Sequence, residues 1–441
     1  MTTLKTLRIL PLVAVLFVSL TSTACDTSVV ADIATQGSRD LSVVSPESVG
    51  MSSERLERLN AGMQKLVDDG KLAGITTMVA RHGKIAHFET FGHQDIASGT
   101  AMPEDAIFRI YSMSKPITGV ALMMLYEEGA FRLGDPVAKY IPEFKDLKVA
   151  AGVGADGPLL EDANHPMTIR ELMSHTGGLS YGIFSPSQVD DLYQEANVLD
   201  GNGTLKDMID KLGKIPLRQQ PGSMWHYSVS VDVQGYLVEV LSGQPFDEFL
   251  QERIFDPLGM TDTAFHVPPD KADRFAVVYG YGEDGSLVAG EGFGGGDPAD
   301  SPYLEPTTFF SGGGGLVAST MDYMRFCQMV LNGGELEGVR ILSPLTIDLM
   351  HRNQLPRALG EMSPGTGFGL DFAVIVDPVA ADGISQGEYY WGGAAGTWFW
   401  IDPVEDLVFV GMIQQFGQGI PDVRSLSRRL TYQAIIDANG T

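Results

Sequence analysis

The chain has 441 residues, of which 44% are hydrophobic and 20% charged, and its formal net charge at pH 7 is -26. That length is sufficient for several domains or for one large two-lobed body with a full-sized core. Because so negative a surface repels phosphate groups, we predict that the protein does not bind nucleic acid. Its two cysteines, Cys25 and Cys327, exclude a disulfide framework, and the apolar run around Cys327 is typical of a buried thiol.

The first 24 residues have the pattern of an export signal. Lys5 and Arg8 precede an apolar stretch, residues 9–20, that is too short to span a bilayer comfortably. We therefore predict a signal peptide over residues 1–24 and export from the cytoplasm.

The cleavage region of this signal is compatible with two kinds of processing. Residues 22–24, Ser-Thr-Ala, fit a small-residue cleavage site, and Cys25 follows at once. Ordinary cleavage would give a periplasmic or secreted protein, whereas lipidation of Cys25, as in a bacterial lipoprotein, would tether it to the membrane. Such signals usually carry Leu where Ser22 stands, so both outcomes stay open. We expect residues 25–45, which are small and polar, to form a flexible linker.

Strand patterns occupy both ends of the chain. Residues with β-branched and aromatic side chains predict strands over 75–81, 85–91, 369–376, 390–401 and 407–414. A helix after Ser52 and a last helix over 423–435 have amphipathic spacing. We therefore predict an α/β (α+β) fold class, with one antiparallel sheet that is built from both chain ends and flanked by helices.

The middle of the chain lacks strongly alternating strand patterns and is rich in helical and loop patterns. We predict a sheet domain from residues 46–133 and 307–441, interrupted by a mostly helical lobe over residues 134–306. Residues 280–306, rich in glycine, aspartate and proline, are expected to form the loop-rich rim of a binding cleft.

Three histidines, His82, His87 and His93, lie near the first predicted hairpin. Their spacing is not that of zinc ligands, and they would alternate around the hairpin. We expect surface or turn positions for them, and we predict no metal site.

The stretch from Ser112 to Lys115 has the spacing S-x-x-K, which can produce an activated nucleophile. Pro116 is tolerated only in a first helical turn, so we expect Ser112 at the start of a helix. Residues three apart share a helical face, so the Lys115 amine would lie beside the Ser112 hydroxyl and assist the removal of its proton. Because this spacing also arises by chance on ordinary buried helices, it needs support from other parts of the chain.

A rival nucleophile is Ser180 in the segment Gly178-Leu-Ser-Tyr-Gly182, which matches the pattern G-x-S-x-G. That pattern produces a nucleophile when a buried strand precedes the serine and a helix follows it. A predicted helix over residues 167–174 and a glycine pair precede Ser180 instead. We therefore predict that Ser180 is not the nucleophile.

Three motifs occur in order along the chain: Ser112-Met-Ser-Lys115, Tyr227-Ser-Val229 and Trp391-Gly-Gly393. Their order and spacing resemble the serine β-lactamase and penicillin-binding-protein superfamily, with the closest similarity to the class C β-lactamase-like family VIII carboxylesterases. The resemblance covers roughly residues 46–437 and implies a β-lactamase/transpeptidase-like fold.

This resemblance also implies roles for individual residues. Ser112 would be the acyl-accepting nucleophile, Lys115 its activator, and Tyr227 the general base that also protonates the leaving group. The backbone N–H groups of Ser112 and Ala394 would form the oxyanion hole. Chemistry of this kind requires no metal or cofactor.

The substrate cleft implied by the resemblance departs from the lactamase pattern at two positions. Trp391 stands where lactamases carry a lysine that helps to hold the substrate carboxylate, and Val229 stands where they carry an asparagine. Together with Gly392 and Gly393, these residues would line a more apolar cleft that suits an uncharged ester. We therefore predict a serine carboxylesterase whose small-molecule substrates are esters of small to medium acyl chains.

Other functions share the same first half-reaction and stay open as alternatives. They are a β-lactamase or D-alanyl-D-alanine carboxypeptidase, and an acyltransferase. A catalytically silent envelope protein is a further alternative, against which the intact Ser112, Lys115 and Tyr227 argue. The natural substrate and the oligomeric state do not follow from the sequence.

Overall fold

The structure, a computed structural model, describes Met1 and residues 39–184, 186–290 and 298–437. One compact unit begins at Arg39. The predicted export signal, the lipidation candidate Cys25 and most of the predicted linker lie outside the described residues. In the part of the chain that is described, none of the helices combines the length and apolar character that membrane crossing needs.

Strands from both ends of the chain form one large antiparallel sheet. In chain order, the strands are β1 (Gly74–Arg81), β2 (Lys84–Asp95), β3 (Thr100–Ala101), β4 (Ile107–Arg109), β5 (Lys148–Val153), β6 (Pro158–Asp162), β7 (Tyr279–Tyr281), β8 (Leu287–Ala289), β9 (Val317–Ser319), β10 (Glu335–Leu336), β11 (Val339–Arg340), β12 (Thr366–Phe368), β13 (Ala373–Ile375), β14 (Tyr389–Gly392), β15 (Trp398–Asp402) and β16 (Leu407–Met412). The large sheet has the order β12-β13-β14-β15-β16-β1-β2-β3. Pairing of β1 with β16, in which Thr77 lies opposite Gly411, joins the two chain ends. The predicted fold class is confirmed.

Helices pack against this sheet and against one another. In chain order, they are α1 (Ser53–Asp68), α2 (Ser114–Glu127), α3 (Ile169–Met173), α4 (Gln188–Glu195), α5 (Leu205–Leu212), α6 (Ser230–Ser242), α7 (Phe246–Leu250), α8 (Asp256–Leu258), α9 (Thr320–Leu331), α10 (Pro344–Met350) and α11 (Val423–Tyr432). The first and last of them, α1 and α11, pack together, as their amphipathic patterns predict.

Alternate residues of β15 and β16 enter two separate cores, because successive side chains of a strand point to opposite faces. Trp398 and Phe409 belong to the core beneath α1 and α11. Phe399 and Val410 belong to the larger core, which contains α2, α6 and α9. The sheet is therefore covered on both faces, and the larger core lies on the side that carries Ser112.

Two predicted strands are divided by turns. Residues 390–401 contain the end of β14 and most of β15, because the Gly393 N–H donates to the Thr397 carbonyl at 2.7 Å and closes a turn. Gly396 in this turn has a φ of 89°, which favours glycine. Residues 369–376 likewise contain a turn before β13. Aromatic and β-branched composition favours strands, but it does not locate an interruption within them.

The segment 134–306, which we predicted to be mostly helical, also contains two hairpins. They are formed by β5 with β6 and by β7 with β8. Both are short, and β6 is largely exposed, so they lack the alternation that a half-buried strand shows in the sequence. Part of the predicted rim at 280–306, residues 291–297, lies outside the described residues.

The histidine at position 87 is buried, contrary to the predicted surface or turn position. It lies on β2 with 7% of its surface exposed, and its Nε2 atom is 2.9 Å from the Thr77 hydroxyl. His82 does occupy the turn after β1, and His93 is exposed. Burial lowers the pKa of His87 from 6.5 to about 4, because the charged ring would lose its hydration.

We predict an acid-sensitive stability from His87. Its pKa is lower in the folded state than in the unfolded state. The contribution of His87 to the free energy of unfolding is therefore complete above pH 6.5 and decreases as the pH drops towards 4. The loss reaches about 3 kcal/mol. His87→Gln, which keeps a polar group near Thr77 and cannot titrate, should reduce this loss. Urea unfolding at pH 7 and pH 4.5 measures it, with His93→Gln as the exposed control. An equal loss in wild type and His87→Gln contradicts the prediction.

Candidate active site

Ser112 lies in a short 3-10 turn, Tyr111–Met113, between β4 and α2. The residue before it, Tyr111, has a φ of 42°, a left-handed conformation that is unfavourable for a residue with a bulky side chain. Edge-on ring contacts with Tyr303 and Phe416, at centroid distances of 6.0 and 5.3 Å, hold the Tyr111 side chain. Tertiary packing therefore fixes the backbone that presents Ser112.

Lys115 is 1% exposed and lies one helical turn after Ser112. Its Nζ atom donates to the Ser112 hydroxyl at 3.1 Å, to the Tyr181 hydroxyl at 2.9 Å and to the Gly313 carbonyl at 2.5 Å. An ammonium has three donors, so all of them have acceptors here. Lys115 therefore holds its place as a buried cation with a full set of hydrogen bonds.

Tyr227 completes the group around the Ser112 hydroxyl. The Tyr227 hydroxyl donates to Ser112 Oγ at 2.7 Å, and Trp391 Nε1 donates to the Tyr227 oxygen at 3.4 Å. The Lys115 ammonium lies 4.7 Å from the centre of the Tyr227 ring, where a cation is attracted by the ring face. Ser112, Lys115 and Tyr227 are thus brought together in an arrangement that can move a proton away from the serine.

Aromatic side chains surround the Tyr227 ring. Their ring centres lie 4.9 to 6.1 Å from that of Tyr227, and they belong to His175, Tyr181, Phe184, Trp225 and Trp391. Burial lowers the pKa of His175 well below its ordinary value, and the charge of Lys115 adds to the effect. His175 is therefore neutral at physiological pH and serves as a packing partner of Tyr227.

Two site residues carry no motif that reveals them. Tyr181, the residue after Ser180, accepts a hydrogen bond from Lys115, and burial raises the pKa of its phenol well above the ordinary value. Asp232 is buried on α6 and accepts hydrogen bonds from the Ser311 hydroxyl at 2.5 Å and the Gly313 N–H at 3.0 Å. Asp232 therefore holds the glycine loop whose carbonyl binds Lys115.

Ser112 and Tyr227 lie at the wall of a cavity of about 420 Å³. Most of its lining is aromatic, aliphatic or glycine. The lining residues are Tyr111, Ser112, Tyr181, Ile183, Phe184, Leu199, Gly201, Tyr227, Asp232, Phe265, Pro302, Tyr303, Thr307, Phe309, Ser311, Gly313, Gly314, Gly315 and Ala394. Among the described residues, the lining contains no lysine or arginine, so the cavity has no cation of its own to bind a substrate carboxylate.

The two backbone N–H groups predicted to form an oxyanion hole belong to Ser112 and Ala394, which both line the cavity. Within the described chain, neither N–H donates to a protein acceptor. Ala394 is exposed and lies in the turn that Gly393 and Thr397 close. Both N–H groups are therefore available to a ligand, and their role as an oxyanion hole stays a prediction.

Three of the residues predicted to line the substrate cleft, Val229, Gly392 and Gly393, do not line the cavity. Val229 is fully buried in the core at the start of α6, so its side chain cannot line a cleft in this structure. A β-carbon on Gly392 would lie 2.4 Å from the Arg424 guanidinium, and one on Gly393 would lie 2.3 Å from the Ile110 carbonyl. Glycine is thus required at 393 by a backbone contact, whereas at 392 a side chain would displace the end of Arg424; neither glycine lines the cavity.

Trp391 is half-buried and reaches the catalytic group through Tyr227. Its ring also packs edge-on against Phe368 at 5.4 Å. Pairing of β14 with β13 stops at Tyr390, so Trp391 and Gly392 pair only with β15. The strand therefore has one open edge beside Trp391, although Trp391 is not among the residues that line the cavity.

Ser180 lies outside the cavity and is 1% exposed. Helix α3 and a glycine pair precede it, and its hydroxyl donates to Asp190 and lies 3.2 Å from His226 Nε2. These are the contacts of a structural serine in a buried polar network, which agrees with the prediction that Ser180 is not the nucleophile.

Comparison with known proteins identifies the class to which this fold and site belong. The family model described as Beta-lactamase matches residues 59–433, so the chain belongs to the β-lactamase family. With this fold, the protein is a β-lactamase-fold hydrolase and a member of the serine β-lactamase and penicillin-binding-protein superfamily, as the motifs predicted.

Particular relatives are similar over most of their length. Protein Rv1367c of Mycobacterium tuberculosis is 35% identical over 81% of this chain and 90% of its own. Esterase EstB of Burkholderia gladioli is 34% identical over 78% of this chain and 86% of its own. Among solved structures, EstCE1, described as a hydrolase with promiscuous acyltransferase activity, superposes with a TM-score of 0.73 at 27% identity, covering 87% of this chain and 99% of its own.

We predict that Tyr181 positions Lys115. Tyr181→Phe keeps the ring but removes one acceptor of the buried ammonium, so kcat should fall about tenfold with little change in KM. Steady-state kinetics with an activated ester measure this. Tyr303→Phe is the matched control, because Tyr303 lines the same cavity and its hydroxyl donates to Gly314 instead. Equal losses in the two variants would show that Tyr181 has no special relation to Lys115.

Proposed function

We propose that the protein is a serine carboxylesterase that cleaves neutral esters of small to medium acyl chains through an acyl-enzyme on Ser112. One observation carries the proposal. The Ser112 hydroxyl is hydrogen-bonded to Lys115 and Tyr227 at the wall of a cavity that has no lysine or arginine among its described lining residues. A substrate carboxylate, as in a penicillin or a peptidoglycan peptide, would lose its hydration there without gaining a cationic partner.

The proposed reaction begins when Ser112 Oγ attacks the ester carbonyl carbon. Its proton passes to the Tyr227 oxygen, which takes part in this step as a phenolate after its own proton has left to solvent. The N–H groups of Ser112 and Ala394 bind the oxygen on which negative charge develops. Tyr227 then gives the proton to the departing alcohol, and the acyl group stays on Ser112. Attack by water, with the same proton path, releases the acid and restores the serine.

Two similarities support the ester as substrate. Esterase EstB and the hydrolase EstCE1 resemble this chain over more than three quarters of its length, at 34% and 27% identity. The promiscuous acyltransferase activity in the description of EstCE1 favours transfer of the acyl group to an alcohol as a second candidate function. Both outcomes use the same acyl-enzyme and differ only in the acceptor.

A comparison of an ester with a lactam tests the proposal. We expect wild type to hydrolyse p-nitrophenyl butyrate with a higher kcat/KM than nitrocefin. Ser112→Ala should reduce ester hydrolysis by at least about a thousandfold. Ser180→Ala, the serine of the rival motif, should keep most of the activity. Faster turnover of nitrocefin would replace the esterase with a β-lactamase, and activity that survives Ser112→Ala would overturn the assignment of the nucleophile.

A further inference from the structure

Part of the cavity wall makes no contact with the catalytic group. This part, called here the apolar pocket, is formed by Leu199, Gly201, Phe265 and Phe309. No hydrogen bond or ring contact described for these residues reaches Ser112, Lys115 or Tyr227. The apolar pocket is therefore not needed to hold the catalytic side chains, and a different reason must be sought for its shape.

Contacts within the protein hold the apolar pocket open. Phe265 packs against Phe310 and Phe246, with distances between ring centres of 5.1 and 5.8 Å, and these two rings fix its position. The Thr308 hydroxyl donates to the Gly203 carbonyl at 2.8 Å and joins the two loops that contribute Gly201 and Phe309 to the wall. A pocket that is already formed binds a ligand without the entropy cost of ordering its walls.

Large apolar side chains are exposed where they line the cavity. Ile183 is 56% exposed, Phe184 is 55% exposed and Leu199 is 38% exposed. Clustered exposed apolar surface in a concave site is typical of a surface that a ligand covers. The wall offers few polar groups beyond those of the catalytic side, so the ligand part that fits here is itself apolar.

The size of the cavity points to a bulky ligand. At about 420 Å³ it falls in the range of sites that bind drug-sized molecules, and a short acyl chain would fill only a part of it. We propose that the apolar pocket binds a bulky, ring-bearing apolar group carried by the ester substrate. This inference rests on the proposed esterase function and defines the class of ester. The group could belong to the acid or to the alcohol, and the experiment below distinguishes the two.

Gly201 provides a way to fill the apolar pocket without straining the fold. A β-carbon at Gly201 meets no atom within 4 Å, and the backbone there is not left-handed. A phenylalanine at this position would therefore be tolerated, and because Gly201 lines the cavity, the added ring would stand at its wall. Gly134 is the matched control, since a β-carbon there also meets no atom within 4 Å and Gly134 does not line the cavity.

The kinetic test compares three esters by acid release. Two are isomers, 2-naphthylmethyl acetate and methyl 2-naphthylacetate, which carry the same ring on the alcohol side or the acid side. The third is ethyl acetate. We expect wild type to favour one naphthyl isomer over ethyl acetate by at least about tenfold in kcat/KM, and the favoured isomer identifies the side. Gly201→Phe should remove most of this preference by raising the KM of the favoured naphthyl ester, whereas Gly134→Phe should keep the preference.

A binding measurement keeps this inference separate from the catalytic proposal. Ser112→Ala should bind the favoured naphthyl ester intact, and calorimetry should show at least about tenfold weaker binding after Gly201→Phe is added. Leu199→Ala, a second change in the pocket wall, should also weaken it. The proposal for the apolar pocket is overturned if both Gly201→Phe and Leu199→Ala leave binding unchanged, or if neither naphthyl ester is a better substrate than ethyl acetate. If binding is tight and depends on Gly201, but wild type hydrolyses none of the esters, the proposal for the apolar pocket stands and the proposed esterase function is rejected.

Discussion

The buried ammonium of Lys115 is the constraint on which the site depends. A cation that is 1% exposed loses most of its hydration, and hydrogen bonds must replace it. Its three acceptors come from separate parts of the chain: Ser112 from the 3-10 turn just before α2, Tyr181 from the loop after α3 and Gly313 from the loop before β9. The ammonium is stable only when all three parts are folded together. Ser112 is thereby placed by the same interaction that the fold needs for its own stability.

Further contacts hold those acceptors in position. Asp232 binds the N–H of Gly313, and a β-carbon at Gly313 would lie 2.5 Å from the Asp232 carboxylate, so glycine is required at this point. Tyr227 is held by the ring of aromatic side chains around it and by the Trp391 indole. Trp391 in turn depends on β14, which the last third of the chain contributes to the sheet. The antiparallel sheet built from both chain ends is thus the frame on which the proton-transferring group is assembled.

The sequence predicts the features that depend on residues close together in the chain, and it does not predict those that depend on long-range contacts. The proximity of Ser112 to Lys115 follows from helical spacing alone, and the sheet follows from strand patterns at both chain ends. Tyr181 could not be predicted, because it meets Lys115 only after long-range folding and its own segment suggests a different serine. The prediction that Val229 lines the cleft is wrong, because the motif gives the position of a residue along the chain and not the direction of its side chain. His87 was likewise placed wrongly, because burial of a polar ring on a strand depends on a helix that packs over it.

The apolar lining of the cavity also affects the second half of the reaction. In the proposed reaction, an acyl group on Ser112 is released by whichever hydroxyl reaches its carbonyl carbon, whether the hydroxyl belongs to water or to another alcohol. Walls of phenylalanine, tyrosine and glycine offer water few hydrogen-bonding partners, while they favour an alcohol with an apolar body. The ratio of hydrolysis to transfer is therefore a property of the wall rather than of the nucleophile. Under the proposed function, changes in the lining alone would alter the balance between hydrolysis and transfer, with Ser112, Lys115 and Tyr227 kept.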